Sequence, residues 1–216
     1  MRKNIMMDAF DRMLRHFGPR GWWPGETPFE VMIGAILTQN TNWKNVERAI
    51  ANLKSAGVLD PHAMLSLEPS ILAELIRPAG YFRIKTGRLR SFLTYFVECY
   101  DGSVPRMAAR PLDELRPELL AVKGIGPETA DSILLYALKK PVFVIDAYTK
   151  RILSRHGLCS EDDGYSELQE FFMDRLCSDI PLYNEYHALI VEVGKKFCRT
   201  TPMCEGCPLN GWNDRP

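Results

Sequence analysis

The 216-residue sequence has no excess of charge of either sign, with 27 Lys and Arg against 27 Asp and Glu. A nucleic-acid role therefore cannot rest on bulk electrostatics, and any basic surface must be local. No apolar run approaches the roughly 20 residues that span a bilayer. Residues 1–17 carry charges throughout, where a signal peptide has an apolar core. A soluble, cytoplasmic protein is expected. β-strand signals are nearly absent, and so are internal repeats and low-complexity segments, which excludes a sheet protein or a solenoid. Without an export signal, the six cysteines point to thiols or metal ligands rather than disulfides.

What is present is helical periodicity punctuated by glycine and proline. Apolar spacing predicts helices over 5–17, 29–39, 43–57, 61–67, 69–76, 84–100, 112–121, from 127 onward, 147–154, 165–176 and 181–197. Residues 102–111 read as a connection. The fold class is all-α. Arg83, Lys85, Arg88 and Arg90 place four cations within eight residues; such a run is a solvated helix face unless a ligand-binding turn lies alongside. The adjacent Trp22 and Trp23 cannot both face one core from a regular element. Either one of them lines a groove, or both cover a seam between domains.

Residues 122–151 organise the rest. Gly124 and Gly126 flank Ile125, a spacing that lets the backbone turn sharply and present N–H groups outward while Ile125 packs inward. Lys123 precedes the turn. Pro127 suits the first turn of the following helix, whose N-terminus reinforces a phosphate-facing site. Pro141 breaks that helix, Val142, Phe143, Val144 and Ile145 form a buried run, and Asp146 ends it. A carboxylate is thus delivered to a dry place, either for chemistry or as an N-cap. In the tail, Cys198, Cys204 and Cys207 are spaced C-x5-C-x2-C, a grouping that suits zinc or an iron–sulfur cluster. Cys99, Cys159 and Cys177 read as core thiols.

Five segments carry a family resemblance: LTQNT at 37–41, GYFRIKTGRL at 80–89, KGIGPETADSILLYA at 123–137, VIDAYTKRI at 144–152, and the cysteine tail. Together they resemble the helix–hairpin–helix DNA glycosylases (the HhH-GPD proteins) related to endonuclease III, over nearly the whole chain. Trp22, Trp23 and Pro24, the aromatic that follows LTQNT, and an acidic residue after the hairpin are similar to the 3-methyladenine DNA glycosylase III group.

The resemblance implies a two-lobed all-α fold with a DNA cleft between the lobes. One lobe covers residues 27–140; the other comprises 1–26 with 141–216 and carries a cysteine loop at 198–213. It implies an enzyme of base excision repair, acting as a monomer on double-stranded DNA. The damaged base is extruded and its N-glycosidic bond cleaved. Hairpin residues Lys123, Gly124, Ile125 and Gly126 would grip phosphates, a site where relatives often hold a monovalent cation. Gln39 would fill the vacated space and Tyr81 would wedge the opposite strand. Asp146 matches the essential aspartate. Trp22, Trp23, Pro24 and Trp43 match an aromatic base pocket suited to alkylated purines such as 3-methyladenine.

Two departures stand out. Bifunctional relatives carry a lysine two residues after the second hairpin glycine, where this chain has Glu128, so hydrolysis by water without AP lyase activity is expected. Related tails carry C-x6-C-x2-C-x5-C around a [4Fe–4S] cluster; here the first gap is one residue shorter and Asn213 occupies the fourth position, so the cluster lacks an identified fourth ligand. Its role would be structural, pinning a basic loop near Lys195, Lys196 and Arg199. Alternatives are an endonuclease III-like glycosylase and AP lyase acting on oxidised or mismatched bases, and a non-catalytic DNA-binding iron–sulfur protein.

Overall fold

A computed structural model describes residues 4–21, 25–160 and 162–213. Trp22, Trp23 and Pro24 lie outside the described residues. Twelve α-helices and no strand are found among those described, and none of these helices is long and apolar enough to cross a membrane. The chain divides into two compact units, Pro24–Lys140 and Met1–Trp23 with Pro141–Pro216.

In the first unit, Thr27 starts α2 (Pro28–Leu37): its hydroxyl accepts from the Glu30 amide at 3.1 Å, and Pro28 opens the first turn. Nearly every residue of α2 is apolar, so the helix must be covered on all sides. It packs against α3 (Trp43–Ser55), α6 (Phe82–Tyr100), α9 (Pro127–Ser132) and a π-helical turn, Ile133–Ala137, that continues α9. Phe96 of α6 stacks on both Phe29 and Phe92, with centroids 6.1 and 5.7 Å away. Burying each such ring contributes about 1.5–3 kcal/mol. Short helices α4 (Pro61–Ser66) and α5 (Pro69–Leu75) lie against α6.

Three features differ from the sequence reading. Residues 102–111 are not merely a connection: α7 (Val104–Ala108) forms there, capped by the Ser103 hydroxyl. The cations of 83–90 do not share a solvated face. Lys85 is 1 % exposed, its ammonium donating to the Leu37 carbonyl at 2.7 Å and the Ala79 carbonyl at 2.8 Å. Burial, and secondarily the Arg88 charge, lower this ammonium to about 8. Arg90 donates to the carbonyls of Leu65 and Leu67, so both side chains satisfy backbone ends that α6 meets as it crosses the unit. Finally, Cys99 and Cys177 are exposed and Cys159 is half-buried, not core thiols.

Around the glycine turn, α8 (Leu112–Ala121) and α9 form the expected flanking pair. Arg116 locks them together by donating Nε to one oxygen of Asp131 at 2.7 Å and Nη2 to the other at 3.0 Å. Asp131 is fully buried, and loss of either partner would strand a buried charge, at a cost of about 3–5 kcal/mol.

The second unit contains α1 (Ile5–Phe17), α10 (Ala147–Arg155), α11 (Tyr165–Met173) and α12 (Ile180–Lys196). The run Val142–Ile145 is buried but belongs to neither a helix nor a sheet. Side chains supply its backbone partners instead: Gln169 donates to the Phe143 carbonyl at 2.6 Å, and Tyr165 accepts from the Ile145 amide at 3.3 Å. Phe143 stacks on Phe172 at 4.1 Å, with Tyr183 and Tyr186 edge-on. The chain therefore enters α10 from a rigid, dry base.

Candidate functional site

The hairpin connects α8 to α9. Gly124 has φ +91°, a region side chains resist, whereas Gly126 has φ −92°. The Ile125 amide closes the turn on the Val122 carbonyl at 3.0 Å, and Ile125 is buried beneath it. Lys123, Gly126 and Glu128 are exposed. Gly124 is exposed too, but on one side Arg88 approaches it: a Cβ there would lie 2.4 Å from Arg88 Cγ.

Gln39 joins this turn. Its Nε2 donates to the Gly124 carbonyl at 3.1 Å and to Thr129 Oγ1 at 2.9 Å, while Arg88 Nη1 donates to its Oε1. The Thr38–Thr41 segment and the hairpin are thus one hydrogen-bonded assembly. Sequence reading named Gln39 and Gly124 separately; it did not anticipate Arg88 or Thr129 between them.

Tyr81 is 67 % exposed and sits at φ +45°, a left-handed conformation that is costly for an aromatic residue. Such strain is typical of residues held for a purpose. Ile84, one turn on, is also exposed, and Arg77 lies 4.8 Å over the Phe82 ring. The indole of Trp43 covers Gly34, and its Nε1 donates to Glu47 Oε1 at 2.8 Å.

In the other unit, Asp146 is the N-cap of α10. Its Oδ1 accepts from the Thr149 amide at 2.7 Å and the Thr149 hydroxyl at 2.8 Å. Its Oδ2 lies 3.5 Å from His187 Nε2 on α12, and only 11 % of the Asp146 side chain is exposed. Burial by itself pushes this carboxyl up. The His187 imidazole beside it, with the two Thr149 donors, outweighs burial and holds it below the ordinary value of 3.8. Asp146 is thus capped through one oxygen, with the second near an imidazole. Sequence reading missed His187, although a histidine inside the apolar run Tyr186–Ile190 is itself a signal of a buried partner.

The cysteine tail is fastened mainly by arginine. Arg155 donates to Cys198 Sγ at 3.2 Å and to the carbonyls of Arg199 and Thr200. Arg151 donates to the Cys198 carbonyl at 2.7 Å. Cys198 is buried, Cys207 half-buried and Cys204 exposed. Burial first, and then the neighbouring Cys198 and Cys204 charges, push the Cys207 thiol up. Among the described residues no three His, Cys, Asp or Glu side chains converge as a metal site, and the Asn213 amide donates to the His156 carbonyl at 2.7 Å. The tail thiols converge neither with one another nor with a fourth donor as a metal site, which does not fit a [4Fe–4S] cluster.

Residues 33–177 match the model of the HhH-GPD superfamily base excision DNA repair proteins. The chain is 51% identical over 199 residues to MJ1434, a candidate DNA repair glycosylase of Methanocaldococcus jannaschii, covering 91% of this chain and 90% of that one. It is 32% identical over 183 residues to endonuclease III of Thermotoga maritima, covering 84% and 80%. Among solved structures, the 3-methyladenine DNA glycosylase of Helicobacter pylori bound to 1,N6-ethenoadenine is similar with a TM-score of 0.74 and 30% identity, over 89% of this chain and 95% of that one. The all-α fold agrees with these likenesses: the chain belongs to the HhH-GPD superfamily and is a DNA repair glycosylase of that family.

Proposed function

We propose that the enzyme is a monofunctional glycosylase that hydrolyses the N-glycosidic bond of an extruded alkylated purine, 3-methyladenine or a similar base, in double-stranded DNA. The observation that carries this reading is Asp146, a nearly buried carboxylate held ionised with one oxygen spent on Thr149. As the bond between C1′ of the sugar and the base nitrogen breaks, the electron pair leaves with the base and the sugar becomes cationic. The Asp146 carboxylate stabilises that charge, orients a water for attack at C1′ and takes its proton. A cationic alkylpurine departs as a neutral base, so the leaving group needs little further help.

The remaining roles follow from the unit that carries the hairpin. The exposed turn around Gly124 and Gly126, with Lys123, grips backbone phosphates. Gln39 fills the space of the extruded base, and Tyr81 wedges the opposite strand. Trp43, with Trp22, Trp23 and Pro24, supplies the face on which a cationic base stacks. The ethenoadenine ligand of the Helicobacter pylori relative supports a purine. A monovalent cation at the turn's carbonyls belongs to the same reading; one of those carbonyls, that of Gly124, already accepts from Gln39. We place the enzyme, as a monomer, in the cytoplasm with the chromosome.

The 32% identity to an endonuclease III keeps a glycosylase and lyase in view as the second reading. Glu128 opposes it, because a carboxylate forms no Schiff base. Borohydride added during turnover should therefore trap no protein–DNA adduct, and strands should break only after alkali; a trapped adduct would assign an amine, with Lys123 the first to test. The iron–sulfur cluster is decided separately, by iron and acid-labile sulfide analysis of protein prepared without air. About four irons per chain would require a donor from outside the tail to complete Cys198, Cys204 and Cys207. A colourless, iron-free protein would leave Arg155 and Arg151 as the tail's fastening.

A further inference from the structure

We propose that Lys85 is a positioning residue for base extrusion: its buried ammonium sets the spacing between the turn that carries Gln39 and the turn that carries Tyr81. The inference rests on the glycosylase reading above and deepens it. Leu37 is the last residue of α2, two positions before Gln39, and Ala79 ends the 3-10 turn Arg77–Ala79, two positions before Tyr81. The Lys85 ammonium bonds both terminal carbonyls, at 2.7 and 2.8 Å. Carbonyls at helical C-termini carry partial negative charge and lack intrahelical partners, so two of them converging on one cation make a charge-assisted clamp.

Each clamped turn also contains a residue forced into left-handed backbone, Asn40 at φ +54° beside Gln39 and Tyr81 at φ +45°. Conformations of this kind persist only where surrounding contacts over-determine them. Lys85 supplies such a contact to both turns from one atom. The desolvation it bears, visible as an amine lowered to about 8, is a cost that an apolar residue of the same length would not carry. Arg88, one turn further along α6, points the same way in function: it orients Gln39 itself. Lys85 touches neither substrate nor reacting atoms. It acts through the two probes, and a fixed spacing matters only while the base must be pulled from a pair.

That gives the test. Single-turnover release of 3-methyladenine is measured from a fully paired duplex and from the same lesion in a one-nucleotide bulge, where no partner base resists extrusion. With Lys85→Met, release from the paired duplex is expected to fall about 10²-fold, the scale of a 1 Å misplacement. Release from the bulge should stay within threefold of the parent. Lys85→Gln, which keeps a donor but reaches one carbonyl only, should show a smaller loss in the same direction. Circular dichroism and a single urea transition confirm folding. Equal losses on both substrates, or none on either, would overturn the proposal, as would failure of Lys85→Gln to fold, since the amine would then serve folding alone. A parent enzyme releasing no base from either substrate would instead overturn the alkylated-purine reading.

Discussion

Asp146→Asn is expected to lower the single-turnover release of an alkylated purine by about 10²–10⁴-fold, the range for loss of a positioned acid–base group, while the dissociation constant for the lesion duplex should change by less than about threefold. The separation is expected because asparagine is as good an N-cap as aspartate. Its side-chain oxygen still accepts from the Thr149 amide, which now lies 2.7 Å from Asp146 Oδ1, and α10 keeps its start. What is lost is the charge and the proton acceptor. A neutral amide neither offsets a cationic sugar nor deprotonates water. Unchanged release would remove Asp146 from the reaction.

The same carboxylate is expected to set the acid limb of the pH profile. Its folded value is depressed below the ordinary one, so activity should be lost only as pH falls through that lowered range. His187→Leu removes the imidazole that helps to hold this carboxyl down, while burial, which pushes it up, remains. The acid limb of kcat/KM then moves to higher pH, a shift that general damage to the fold would not produce.

Gly124→Ala should cost about 2–4 kcal/mol of stability, combining an unfavourable left-handed backbone with overpacking against Arg88. Duplex affinity should fall by at least about tenfold, since both the turn and the side chain it meets are displaced. At φ +91° the new Cβ would stand 2.4 Å from Arg88 Cγ and 3.1 Å from Cδ. Arg88 must then leave, and with it goes the donor to Gln39 Oε1. Gly126→Ala is the control. It has φ −92° and open space at its Cβ, so stability should stay within about 0.5 kcal/mol. Urea midpoints and fluorescence anisotropy with a labelled duplex read both effects. Equal responses at the two glycines would refute the asymmetry.

That asymmetry marks the limit of what spacing alone conveys. In the sequence the two glycines of KGIG look equivalent. Only backbone angles and the approach of α6 separate them. The four cations at 83–90 are a similar case, because helical periodicity does not say which face a neighbouring chain end will meet. Lys85 turned inward to two carbonyls, Arg90 to two others, and Arg88 to Gln39, leaving Arg83 exposed. Cys99 and Cys177 went the other way, from expected core to surface, since a small thiol in a mixed run such as FVECY fits either side.

By itself the sequence determined the helical elements other than α7, the hairpin between α8 and α9, the buried run that ends in Asp146, and the family. Each of these depends on local signals, such as apolar spacing, capping residues, proline at helix starts and glycine at turns, which act over a few residues. Tertiary structure alone decided that Asp146 meets His187 forty-one positions away, that Gln39 is bound to Gly124 and Thr129, and that one lysine clamps two turns. Those contacts depend on which buried polar atoms lack a partner once the helices have packed. The choice is made between elements, where no sequence period reaches.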